Sequence, residues 1–143
     1  MLFRSLNRIL TIDNLMRRGW VLVNRCCMCC LAAETVDHLL LHCSAASQLW
    51  YFVYSLFGMS WVQPGTVALA LASWYGGRVG KRRRKAWVFA PLCLMWTIWL
   101  ERNRRTFRDS VVVVSRLKSL LLSVLISWVS GRWSRIYPFF LML

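Results

Sequence analysis

The sequence predicts a mainly α-helical fold, on three observations. Apolar residues recur at helical spacing, most clearly in residues 110–130, where Val113, Leu117, Leu120, Leu121, Val124, Leu125 and Trp128 form one stripe. No segment alternates strictly between apolar and polar residues, and the one β-branched run, residues 111–114, sits where a helix starts. Five of the six cysteines and both histidines crowd between Cys26 and Cys43, the composition of a metal site that staples a small helical domain.

The elements follow in order. Residues 1–20 read as polar and helical, with Leu10, Leu15 and Met16 apolar, Thr11 as N-cap and Gly19 as stop. Leu49, Trp50, Val53, Leu56 and Phe57 mark a helix over residues 44–57, with Ser44 as its cap and Gly58 at its end. Residues 58–85 read as a mobile loop, since they hold Gln63-Pro64-Gly65, Gly76-Gly77 and the run Lys81-Arg82-Arg83-Arg84-Lys85. Residues 86–108 read as a long buried helix ending in the basic turn Arg102-Asn103-Arg104-Arg105. The helix of residues 110–130 is amphipathic, with Asp109 or Ser110 as its cap and Gly131 at its end.

The cysteines carry the chemistry. Cys26-x2-Cys29 is a knuckle spacing, in which a tight turn aims two sulfurs at one ion, and His38 and Cys43 complete a four-ligand set. Three thiolates and one imidazole are the donors of a closed structural zinc site with no open position for water. Arg25 beside the knuckle favours the thiolate form of Cys26, and Asp37 can orient His38. On an unbroken α-helix, residues five apart point about 140° away from each other. His38 and Cys43 can therefore share an ion only if the helix ends or bends near residues 42–44. Alternatives stay open: His42 lies on the same helical face as His38, and Cys27 and Cys30 could exchange register with Cys26 and Cys29.

The 143 residues suffice for one small domain with a real core. Lys and Arg number 19 against 5 Asp and Glu, a net charge of +14 that favours an anionic partner. No secretory signal is evident, which favours metal ligands over disulfides and a nuclear or cytoplasmic location. The apolar run of residues 86–100 falls short of the roughly 20 residues of a spanning helix, so a core helix is the better reading than a membrane segment. Lys81, Arg82, Arg83, Arg84 and Lys85, with Arg102, Arg104 and Arg105, are candidate phosphate contacts; Trp20, Trp74, Tyr75 and Trp87 could stack on unpaired bases. The run at residues 81–85 also fits a nuclear import signal. No catalytic residues are expected: the histidines serve the metal, the five acids are scattered, and no glycine-rich phosphate loop is present.

Leu10-Thr11-Ile12-Asp13-Asn14-Leu15, Arg18-Gly19, Cys26-x2-Cys29, Glu34-Thr35-Val36-Asp37-His38-Leu39, His42-Cys43 and Leu49-Trp50 together resemble the zinc-binding domain that follows the reverse transcriptase of plant LINE-type (non-LTR) retrotransposons. Trp96-Thr97-Ile98-Trp99-Leu100-Glu101-Arg102-Asn103 resembles that family's tryptophan-rich helix and its Arg-Asn turn. The resemblance spans roughly residues 8–108, and it implies one structural Zn2+ on Cys26, Cys29, His38 and Cys43. It further implies a non-catalytic module that binds RNA or DNA non-specifically in support of a reverse transcriptase. The chain begins almost at the Leu-Thr-x-Asp segment and has no Tyr-x-Asp-Asp, so the expectation is a truncated or isolated copy.

The expected organisation is a zinc-stapled helical domain over residues 8–108, with its knuckle at 26–43 and a basic loop at 76–85. A C-terminal amphipathic helix, residues 109–130, and a tail, residues 131–143, follow. The alternatives are a protein-interaction module docking on a polymerase domain, and a small membrane-associated protein using residues 86–100.

Overall fold

Thr11 opens the first helix, α1, over Ile12–Arg17, which is shorter than the expected span. Its hydroxyl donates to Asp13 Oδ1 instead of accepting from the helix. Gly19 closes the turn at a φ of +94°, a region glycine enters without steric cost. The computed structural model describes residues 8–132, so most of the expected tail lies outside the described residues. From residue 20 the chain is irregular up to a short helical segment that widens into a π turn over His38–His42.

Helix α2 spans Ser44–Leu56, capped by Cys43 one residue before the expected Ser44, and Gly58 follows it at a φ of +65°. The expected loop of residues 58–85 holds a helix instead: α3, Val67–Tyr75. The Thr66 side chain accepts from Leu69 N at 3.1 Å, and Val67, Ala70, Leu71 and Trp74 are buried at i, i+3, i+4 and i+7. Flanking Pro and Gly mark where that helix begins and ends; they do not abolish it.

Helix α4, Arg84–Arg108, carries Pro91 in its interior. Proline has no N–H to give to Trp87 O, and Trp74 Nε1 donates to that carbonyl instead, at 2.8 Å. The helix ends at Asp109, in left-handed conformation. Residues 110–113 lead to α5, Val114–Val129, whose N-cap is Val113, not Asp109 or Ser110. Leu117, Leu121, Val124, Leu125 and Trp128 are the buried stripe of α5, whereas Val113 is 65% exposed.

One core joins these elements among the described residues: Cys26, Met28 and Cys43 belong to the same buried cluster as Trp50, Ile98, Leu117 and Leu121. Helix α4 packs against α5, and α2 packs against both. Trp50, Tyr54, Phe57, Trp74 and Trp87 meet in a continuous aromatic cluster where α3 joins the rest. The apolar run of residues 86–100 lies in this core, with Cys93, Leu94 and Ile98 at 0% exposure. No helix among the described residues is long and apolar enough to cross a membrane. The spanning alternative is corrected accordingly: the apolar length of α4 is explained by its neighbours.

Candidate metal centre

The knuckle is built by backbone hydrogen bonds. Cys30 N donates to Cys26 O and Cys26 N to Ala32 O, each at 2.8 Å, closing the turn around residues 26–30. Cys30 takes the left-handed conformation this needs, with a φ of +58°. Arg25 Nε donates to Cys30 O at 2.7 Å. Arg25 thus fastens the turn through that carbonyl, where an electrostatic effect on Cys26 was expected. Leu31 N points at Cys29 Sγ from 3.5 Å, a donor suited to a thiolate.

The π turn supplies the other two donors. Cys43 N donates to His38 O at 2.6 Å, the i→i+5 bond of a widened turn. A wider turn rotates less per residue than an α-helix, so His38 and Cys43 come onto one side. Their ligand atoms and those of Cys26 and Cys29 all lie within 4.8 Å of one another. Cys26 Sγ is 3.9 Å from Cys43 Sγ, and Cys29 Sγ is 3.3 Å from His38 Nε2. A zinc tetrahedron has S···S edges of about 3.8 Å and S···N edges of about 3.5 Å, from its bond lengths. The four residues fit that ion. Cys43 stands at the N-terminus of α2, where a thiolate is favoured. Its thiol is shifted down by the hydrogen bond from Cys26, whereas Cys26 is shifted up by the same bond and by burial.

Residues 2–50 match the protein family described as zinc-binding in reverse transcriptase. This segment is a reverse-transcriptase zinc-binding domain. No curated protein and no solved structure matches the chain.

Within the zinc-binding domain, the other candidate ligands lie outside this cluster. His42 is exposed, and its Nε2 pairs with Gly65 O at 2.8 Å. Cys27 turns toward α4, with its sulfur 3.7 Å from Arg102 O and 3.7 Å from Thr106 Oγ1, and burial shifts its thiol up. Cys30 is exposed, with its sulfur 4.0 Å from Cys27 O. Asp37 does not serve His38; its Oδ1 accepts from Val67 N at 2.8 Å, at the start of α3.

The basic turn, where phosphate contacts are expected, makes its contacts within the chain. Arg102 is buried, with Nε and Nη2 on the two oxygens of Glu34 at 3.1 and 2.8 Å. Arg105 donates to Glu101 at 2.7 Å, to Met28 O at 3.1 Å and to Val112 O at 3.3 Å. Arg104 also pairs with Glu101. These cations tie the zinc-binding domain to α4 and the start of α5, so their charges are met inside the chain. Glu34 was legible only as part of a motif. No spacing rule links it to a residue 68 positions later.

The run at residues 81–85 is exposed throughout and spans the start of α4. Among the stacking candidates, Trp20 is 63% exposed, but Trp74 is buried and stacked on Trp87 with centroids 3.9 Å apart.

Proposed function

We propose that this chain is a non-catalytic zinc module of retroelement origin that holds RNA or DNA by its phosphates, in support of a reverse transcriptase. The observation that carries this is the placement of Lys81, Arg82, Arg83, Arg84 and Lys85. All are exposed, and among the described residues none is in an ion pair. They gather at the N-terminal end of α4, where the helix dipole disfavours positive charge. Fold stability gives no reason for them there, whereas a polyanion does. Four of the five acids are occupied elsewhere: Glu34 and Glu101 hold arginines, Asp37 meets α3, and Asp13 faces Arg17. About 30 Å of helix separates the run from the metal centre, so zinc shapes the fold and the run meets the ligand.

The test measures binding of the zinc-loaded chain to single-stranded RNA and DNA across a range of salt. Changing Lys81, Arg82, Arg83 and Lys85 to Ala lowers affinity and flattens the log–log salt slope by up to about 3. An unchanged affinity and slope would remove the run from the interface.

A second reading has its own observation. Trp20, Val21, Val23 and Leu31 are 63%, 100%, 88% and 90% exposed, beside the knuckle. Exposed apolar groups close in sequence to the knuckle suit docking on a polymerase domain. Trp20→Ser with Val21→Ser, tested for association with a reverse transcriptase polypeptide while nucleic-acid affinity is followed in parallel, separates the two readings.

A further inference from the structure

Between Gly19 and the knuckle, the segment Trp20-Val21-Leu22-Val23-Asn24-Arg25 is fastened at both ends and unpaired between them. At one end Trp20 N donates to Leu15 O at 3.2 Å. At the other, Asn24 Oδ1 accepts from Glu34 N and Arg25 Nε donates to Cys30 O, each at 2.7 Å. Among the described residues, no backbone N–H or C=O of Val21, Leu22 or Val23 takes part in a hydrogen bond.

Val21 is 100% exposed, Leu22 39% and Val23 88%, and Asn24 is partly buried. That alternation is the period of an extended segment with one face to the body and one to solvent. At full exposure the main chain of Val21 is as open as its side chain. Valine and tryptophan also suit a strand. Extended backbone with free N–H and C=O groups is a template to which another strand adds. Chains that leave such an edge idle guard it with proline or an in-strand charge, and residues 20–24 hold neither.

The flanks identify the occupant. Arg17 and Arg18 precede the segment and Arg25 closes it, all exposed. No acid lies between Asp13 and Glu34, and Glu34 is buried on Arg102. A second copy would set these arginines against their own kind, on a chain of net charge +14. A nucleic acid would meet the arginines, but Val21 and Val23 offer it neither charge nor ring.

We infer that residues 20–24 are a docking edge, to which a protein partner adds one extended, apolar strand flanked by acidic residues. Main-chain hydrogen bonds supply the affinity, Val21 and Val23 pack against side chains of the added strand, and the arginines meet its acids. The inference rests on the docking reading above and specifies it: the polymerase polypeptide contributes a strand, not only an apolar surface.

The experiment titrates the zinc-loaded chain with the peptide Glu-Asp-Val-Thr-Val-Thr-Val-Asp-Glu and follows affinity and backbone amide exchange by NMR. Two further peptides are titrated beside it. One is N-methylated along its central Thr-Val-Thr, which keeps the side chains and removes the donors. The other carries lysine at each acidic position. The acidic peptide is expected to slow amide exchange within residues 21–23. The N-methylated form then binds about tenfold more weakly, and the lysine form is weakened as well. Equal binding of the N-methylated form overturns the added strand and leaves docking by side chains alone. Absence of binding by the acidic peptide overturns it too, as does protection of these amides by single-stranded RNA in its place. All of this is read on the wild-type chain, so no variant has to fold. A reverse transcriptase polypeptide separates the two levels. If it associates while the amides of residues 21–23 exchange freely, only the strand falls; if it does not associate, the docking reading falls and the strand with it.

Discussion

Glu34 has no exposed side-chain surface, and both of its oxygens are committed. Oε1 accepts from Ile12 N at 2.9 Å and from Arg102 at 2.8 Å, and Oε2 accepts from Arg102 Nε at 3.1 Å. The guanidinium fork meets the carboxylate with two bonds, while Trp99 lies 5.0 Å from its centre. Removing one partner of such a pair strands a buried charge, which costs far more than the pair itself contributes. Arg102→Ala is therefore expected to lower the stability of the zinc-loaded chain by about 3–5 kcal/mol, measured by denaturant unfolding. A loss below about 1 kcal/mol would show that water or another cation reaches Glu34. Arg102→Lys keeps the charge but loses the fork, and is expected to fall between the two.

At the scale of the element, the π turn decides the ligand set. An α-helical continuation would have paired His38 with His42, four residues on. The i→i+5 bond from Cys43 N to His38 O instead brings Cys43 beside His38 and sends His42 outward to Gly65. His38→Ala and Cys43→Ser are expected to abolish the one-to-one zinc content found by elemental analysis, and His42→Ala to leave it intact. Zinc lost from His42→Ala alone would reverse the assignment. Pro91 shows a similar economy in α4: the helix bond it cannot make leaves Trp87 O to accept from Trp74 Nε1.

For the whole molecule, the metal centre is part of the common core. Cys26 and Cys43 are buried with the helical residues, and Arg105 spans from Glu101 to Met28 O in the knuckle. Metal binding is folding energy for a site that the unfolded chain lacks. Chelation of zinc is thus expected to lower the thermal midpoint of the entire helical signal in a single transition, followed by circular dichroism. Two transitions, with α4 and α5 melting where they did before, would show that the zinc-binding domain folds apart from them.

The sequence by itself determined the helical class, the long apolar helix, the amphipathic C-terminal helix and the knuckle, because each is written in local spacing. Helix α3 was legible in principle, as its buried positions keep helical period, but the glycines and proline around it read as a loop. The sequence also left the fourth ligand open between Cys43 and His42, since that choice depends on whether a turn holds i→i+4 or i→i+5 bonds. Only the tertiary structure decided this, together with the fate of the arginines. Arg102 and Arg84 look equally basic in the chain, but one meets a carboxylate 68 residues away and the other meets solvent at a cleft. Charge is a property of the residue; whether that charge is already neutralised is a property of the fold.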